Sequence, residues 1–494
     1  MNLNTRIYKA SLVGLAAILF CASAQVQNVL NVDRKELGLT KLPPLENAPP
    51  VLAFTTVALG GFRGLIANAL WMRATDLQDQ DKFFEMVQLS DWITKLEPHF
   101  VTVWSVQAWN MAYNISVKFK DPEDRWHWVE RGVQLLRDHG IPMNPDETDL
   151  YRELSWLFEH KIGQNLDDAH MRYKLRWAQE MQNIFVGGRP DEGLLHPVTE
   201  QDRERARKLR EVYKMDPAII EKVDQDYGPL DWRMPDAHAI YWAELGRLKG
   251  KPEDQEVVRR SIYQTMQQAC FRGGAPVPAS VTNITEQNFM IWPNLDLVPK
   301  VNAAYEEMIN EEPRIKQNVQ TAHKNFLKQA IYLLYEDNRM NQASYWFDYL
   351  NKTYTNAFVR RQAGITLDNF AVGQIIEDNN ETDMNKVIAS IMSQYDRAFQ
   401  CLVMDNEDRY LNYQALAEKI WKHYEQKIKG ASDVRIGLKS LLQMRNFVLN
   451  LELDPVHGRM PPMAQAVLRT KLKLPTPTAP AAAPAGSSVP TAAQ

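Results

Sequence analysis

The fold is decided by LEPHFVTVWSVQAWNMAYN, residues 96–114. Its large and small apolar residues return at steps of three and four, as in Trp104, Ala108 and Met111, and not in alternation. That is the period of a helix with one buried side. Pro98 ends whatever helix precedes it, since proline has no N–H to donate and crowds the turn before it. His99 and Phe100 turn the chain, and a new helix starts. With Trp104 as step zero and about 100° per residue, Gln107, Ala108 and Met111 lie within about 100° of one another. Ala108 is the small member of that set. A small residue there lets a partner helix approach closely while its large neighbours fill the groove. Trp109, at step five, sits near 140° and points the other way, with Ser105 and Tyr113 on its side.

Working outward, the same grammar covers most of the chain. ALWMRATDLQDQDKFFEMVQLSDWITKL, from Ala69, places apolar residues at three- and four-residue steps with acids and amides between. Short joints separate the helices: EPHF, KDPED, GIPMNPDE and LKGKPED. The set large, third residue, small, large recurs as Leu70, Arg73, Ala74, Leu77 and as Tyr151, Leu154, Ser155, Phe158. It returns at Pro235, His238, Ala239, Trp242, then at Phe326, Gln329, Ala330, Leu333, and at Tyr413, Leu416, Ala417, Ile420. A proline stands six residues ahead of three of these sets: Pro98, Pro145 and Pro229. ASYWFDYL adds Ala343, Phe347 and Leu350, a stripe suited to a return helix.

This pattern resembles tetratricopeptide repeats, whose helix hairpins of thirty-four residues stack into a superhelix. The resemblance is strongest over residues 70–184, returns at 326–350 and is faint at 413–455. The first spacing is 34, but the next are 47, 84, 91 and 87, and glycine is mostly missing from the small position. Two inserts, residues 186–197 and 271–299, interrupt the array. The expected fold is therefore all-α, an irregular tetratricopeptide-like helical-hairpin solenoid with loop insertions; a generic helical-hairpin solenoid is the alternative. What the resemblance implies for binding is a concave surface on the free side of each first helix. That side holds Ser105, Trp109 and Tyr113 in one repeat and Arg152, Trp156, Glu159 and His160 in the next. Two tryptophans at matching places, rimmed by polar groups, suit a peptide or a sugar ring. The competing reading is that a degenerate repeat buries both faces and these tryptophans are core.

The two ends differ from the body. Arg6 and Lys9 precede SLVGLAAILFCASA, residues 11–24, an uncharged apolar run. Such a run reads as an uncleaved membrane anchor or as a signal peptide, with Ala22-Ser23-Ala24 as a cleavage site. Its fourteen residues are short for a span, which takes ~20. Cys21 invites a lipid anchor, but Phe20 stands where a small residue is expected. Each reading places the rest of the chain on the extracytoplasmic side of a cell envelope, in a periplasm or its equivalent. A second apolar run, residues 49–64, is too short to span and is expected to cap the first helices of the body. The tail, PTPTAPAAAPAGSSVPTAAQ, has almost nothing to bury and is expected to be disordered. The expected order is leader 1–24, linker and cap 25–64, repeats 65–185, insert with helix 186–234, hairpin 235–271, loop-rich insert 272–315, repeats 316–470 and tail 471–494.

Chemistry is harder to find. Net charge is −4 and no basic aromatic stripe appears, so nucleic acid is not an expected partner. The sequence has no H-E-x-x-H, C-x-x-C, G-x-G-x-x-G, G-K-[ST] or G-x-S-x-G. The pairs Gly60-Gly61, Gly187-Gly188 and Gly273-Gly274 read as turns. His160 and Glu153 are seven apart and share a helix face, but no second pair of ligands accompanies them, so no metal site is expected. Cys270 and Cys401 allow one bridge at most and read as buried thiols. Four N-x-[ST] sequons, the first at Asn114 mid-helix, carry no assigned role. The expectation is a non-catalytic, cofactor-free scaffold, membrane-tethered through its N-terminal segment, that binds a protein or peptide in the envelope. A glycan-binding module using the same tryptophans is the alternative, and an enzyme built on the inserts is the third reading.

Overall fold

A computed structural model of the chain describes residues 63–275, 291–311, 313–354, 366–377, 384–428, 438–454 and 460–475. It also describes residues 283–285, residue 289 and scattered positions between 14 and 33. Most of the leader, the expected cap up to residue 62, residues 378–383 with the sequon at Asn380, and the tail beyond 475 lie outside the described residues. Among the described residues the chain is all-helical, and its one strand-like feature is an isolated bridge between Gly274 and Trp292. No helix among them is long and apolar enough to cross a membrane. Two compact units result: Met1–Leu157 with Leu248–Pro252, and Phe158–Arg247 with Glu253–Gln494.

The first unit holds α1 (Arg63–Asp79), α2 (Phe83–Leu96), α3 (Val101–Trp109), α4 (Pro122–Gln134) and α5 (Thr148–Trp156). Each of α1 to α3 packs against its successor, and α3 also packs against α5. Three of these helices loosen at their ends: α3 passes into a π turn at Asn110–Ile115, α4 into one at Leu135–Gly140 and α5 into one at Leu157–Ile162. The joints have local causes. The Asp121 carboxylate accepts from the Glu123 amide at 2.8 Å while Pro122 opens α4, which satisfies an amide the helix cannot. At the Pro98 joint the Trp104 indole N–H donates to the Pro98 carbonyl at 2.9 Å. The Asn144 amide donates to that same oxygen at 2.9 Å and to the Gly140 carbonyl at 3.1 Å. His99 lies 3.0 Å from the Asn144 side-chain oxygen. His99 thus joins the hydrogen bonds that close this joint.

The small residue works as its spacing suggests. Gly132 of α4 lies so close to α3 that a Cβ there would stand 2.9 Å from the Ala108 carbonyl oxygen. Across the whole set, Ala74, Ala108, Ser155, Ala239, Ala330 and Ala417 are each no more than 1% exposed. Their large partners Trp104, Tyr151, Phe158, Trp242, Phe326, Tyr413 and Ile420 are buried as well. The exceptions are Arg73 and Gln329, both exposed at the third position, and Leu70 and Leu333, large members that are only half-buried.

The second unit holds α6 (His170–Gln182), the short α7 (Glu192–Leu195), α8 (Glu200–Glu211), α9 (Pro217–Tyr227), α10 (Pro235–Lys249) and α11 (Gln255–Arg272). It continues with α12 (Val298–Glu311), α13 (Lys316–Glu336), α14 (Met340–Thr353), α15 (Leu367–Glu377), α16 (Met384–Val403), α17 (Glu407–Ile428), α18 (Leu441–Glu452) and α19 (Pro462–Lys471). From α11 to α14 each helix packs on the next, and α16 packs on α17, α18 and α19. The return stripe is buried, with Ala343, Phe347 and Leu350 all in the core. The stretch expected to be loop-rich, 272–315, carries all of α12, because Val298, Val301 and Tyr305 give it a buried face. Cys270 and Cys401 are free and buried.

Candidate functional site

Five of the seven expected surface residues lie in the first unit. Trp109 closes α3 and is 40% exposed; Trp156 closes α5 and is 37% exposed. The helices match residue for residue: α3 and its π turn start at 101 and 110, α5 and its π turn at 148 and 157, an offset of 47 in both cases (148 − 101 and 157 − 110). The two tryptophans thus occupy the same local position, and neither is core. Tyr113, half-buried in the π turn, stacks on Trp109 with ring centroids 5.4 Å apart and planes at 25°. Offset stacking of this kind holds both rings without burying their outer edges. Ser105 lies one turn before Trp109, half-buried; Arg152 lies one turn before Trp156 and pairs with Asp149 at 3.0 Å.

Glu159 does not join that surface. It is 1% exposed, in the second unit, and its side chain takes a hydrogen bond from Thr265. Counting at 100° per residue fails there because the helix changes to i→i+5 bonding at Leu157, which slows its rotation per residue. Burial, reinforced by the nearby Asp236 carboxylate, pushes the Glu159 carboxyl up to about 6. Arg272 sits beside it, donating to the Glu159 carbonyl at 3.1 Å and to the Asp236 carboxylate at 3.0 Å. His160 is half-buried; burial first, then the Lys161 and Arg272 charges, lower its pKa.

The same unit contains a lysine that sequence alone did not single out. Lys174 is buried, and burial brings its ammonium down to about 7. It donates to the Gln164 carbonyl at 2.9 Å and lies 3.0 Å from His170 Nδ1. A neutral lysine is a nucleophile in principle. Here it is 1% exposed, so no substrate reaches it, and its contacts tie the 163–169 turn to α6. No group of three or more metal-ligating side chains is found among the described residues.

No family model, curated protein or solved structure matches the chain. The site is thus read from its own chemistry. An exposed indole stacked on a phenol, and a second exposed indole 47 residues on, each with a polar residue one turn before it, offer flat apolar area with polar edges. Such surfaces bind by burying rings at low entropic cost.

The second unit holds what sequence reasoning missed. Arg189, Arg339 and Arg409, from three distant segments, line one cleft. Their only sequence signal was Gly187-Gly188, read as a turn. Both glycines do have left-handed φ, 73° and 81°, and Gly187 borders the same cleft.

Proposed function

We propose that the protein is a non-catalytic, exported, membrane-tethered scaffold, an irregular tetratricopeptide-like solenoid that grips a protein or peptide partner in the cell envelope. The observation that carries this reading is the exposed Trp109–Tyr113 stack on a helix whose opposite face is buried, repeated in register by Trp156. Large aromatic side chains left partly exposed are what an interface uses as anchors. The hairpin packing of α1 to α5 and the 47-residue recurrence support the solenoid. Support for the tether comes from Arg6 and Lys9 ahead of the apolar run, and from Ile18, Leu19, Val26, Val29 and Leu30, helical positions with exposed apolar side chains.

The test keeps both tryptophans in place. A photo-crosslinking residue is put at Ser105 and, separately, at Arg152 in the full chain in intact cells, with exposed Val198 as control. The expected result is one and the same protein captured from positions 105 and 152, not from 198, and lost when Trp109→Ala and Trp156→Ala are combined. Capture that is identical from all three positions, or that survives the double substitution, overturns the reading. Loss of adduct on adding an oligosaccharide would move it to the glycan alternative.

A further inference from the structure

The second unit carries a cleft of about 250 Å³ with an unusual wall: three guanidinium groups. Arg189 comes from the segment after the Gly187-Gly188 turn, Arg339 from the joint between α13 and α14, and Arg409 from the first turn of α17. Three like charges do not gather without something behind them. Asp224, largely buried, holds Arg189 at 2.5 Å and is itself fixed by the Leu230 amide and the Trp232 indole, both at 3.0 Å. Asp337, also largely buried, holds both of the others: Arg339 at 2.9 Å through one oxygen and Arg409 at 2.6 Å through the other. Neither of these carboxylates lines the cleft. They anchor the arginines from the rear, and the Arg409 guanidinium lies over the Trp292 ring at 4.9 Å, which sets its plane.

Two carboxylates do face the cleft, and they differ. Asp231 is saturated by buried Arg233, which donates through its amide, Nε and Nη2, and by the Ala275 amide. Its charge is already matched. Asp296 is 58% exposed and touches Arg339 at 2.5 Å from the solvent side. An exposed pair of that kind is held weakly. Arg189, Arg233, Arg339 and Arg409 are thus balanced by Asp224, Asp231, Asp296 and Asp337, and the wall gains a net positive charge when Asp296, the exposed member, lets go of Arg339. Each lining guanidinium also has five N–H donors of which the carboxylates named here use one or two.

Next to the cleft, and sharing Leu295 and Asp296 with it, is a second hollow of about 450 Å³. Its lining is different: the amides of Asn341 and Gln342 and the ring of Tyr345. Tyr345 is 62% exposed and rests edge-on against Trp346, centroids 5.0 Å apart at 84°. A flat open ring flanked by two planar amides presents stacking area and paired donors and acceptors to a polyhydroxylated ring.

We propose that these two hollows form one binding site for a monosaccharide carrying a phosphate or carboxylate group. The oxyanion lies between Arg339 and Arg409, displacing Asp296 from Arg339, with Arg189 across the cleft. The sugar ring lies on Tyr345, its hydroxyls reaching Asn341 and Gln342. Guanidinium suits this task because its planar fork matches an oxyanion with two parallel hydrogen bonds.

The site is tested by titration calorimetry on the full chain with glucose 6-phosphate, glucuronate, glucose and inorganic phosphate as probes. Glucose 6-phosphate or glucuronate should bind saturably, glucose roughly tenfold more weakly or less, and inorganic phosphate should compete. Whichever anion binds more tightly identifies the oxyanion. Arg409→Gln and Arg339→Lys should each weaken the anionic sugar roughly tenfold in protein shown to be folded by circular dichroism, the second because it keeps charge but loses the fork. Arg409→Gln should also lower the melting temperature, since buried Asp337 loses a partner, whereas Arg339→Lys keeps a cation there. Tyr345→Ala, at an exposed ring, should weaken the sugars and leave inorganic phosphate alone. The proposal fails if no anionic probe binds at about 10 mM, near the weak end of specific recognition. It fails equally if glucose binds as tightly as its phosphate, or if binding ignores both arginine substitutions and Tyr345→Ala.

Discussion

The indole of Trp104 donates to the carbonyl of Pro98, six residues behind it, at 2.9 Å, and Tyr151 does the same to Pro145 at 2.8 Å. At these two joints the proline-before-helix spacing is thus half of a hydrogen-bonded latch; at Pro229 the sixth residue on is Pro235, which has no donor, and Asn294 serves the Pro229 carbonyl instead. The proline stops one helix, and the first large residue of the next ties its carbonyl down. At Pro98 the oxygen has a second donor, Asn144 at 2.9 Å. Trp104→Phe should therefore cost only about 1 kcal/mol, because Asn144 still serves the carbonyl. Trp104→Phe combined with Asn144→Ala should cost more than the two single changes added, since the oxygen then loses both partners. Urea unfolding of the four proteins checks this, and strict additivity would refute the shared-acceptor account.

Gly132→Ala should destabilise the first unit although alanine is the better helix former by about 1 kcal/mol. The new Cβ would stand 2.9 Å from the Ala108 carbonyl, a backbone atom that moves only if α3 and α4 separate. A net loss of about 1–3 kcal/mol by thermal or urea unfolding is expected. A gain in stability would mean the helices part easily.

Trp109 and Trp156 are the only exposed tryptophans among the described residues. Replacing both with phenylalanine should remove the steep component of acrylamide quenching and leave stability within about 1 kcal/mol. Quenching that is unchanged would place both indoles out of solvent's reach.

Glu159 gives a pH dependence with a definite sign. Its carboxyl titrates near 6 in the folded chain against 4.5 ordinarily, chiefly because it is buried. Between those values the unfolded chain releases its proton first, so stability from this group falls as pH rises through the window. A gap of about 1.5 pH units corresponds to about 2 kcal/mol. Glu159→Gln should abolish that fall, leaving the variant more stable than the parent at pH 7 and nearly equal to it at pH 4.5. Unfolding curves at the two pH values decide it.

Much of this was legible in the sequence. Ala74, Ala108, Ser155, Ala239, Ala330 and Ala417 were placed by a spacing rule, and every one is buried, because a helix's inner face is a local property of period. Trp109 and Trp156 were placed outward by the same counting. Glu159 was not, because it lies within a π turn whose extra residue per turn leaves no mark in composition. The arginine cleft escaped for another reason. Arg189, Arg339 and Arg409 are brought together by loops and joints, and no window of sequence contains their relation.

Cys270 on α11 and Cys401 on α16 are both fully buried in the second unit, and burial pushes both thiols up, that of Cys401 to about 11. Reagents attack the thiolate, so neither sulfur reacts until its own helix opens. The unit thereby carries two internal clocks. Alkylation at one common rate would mean that it comes apart as a single piece; Cys401 alkylated ahead of Cys270 would show that the helices from α16 onward let go first.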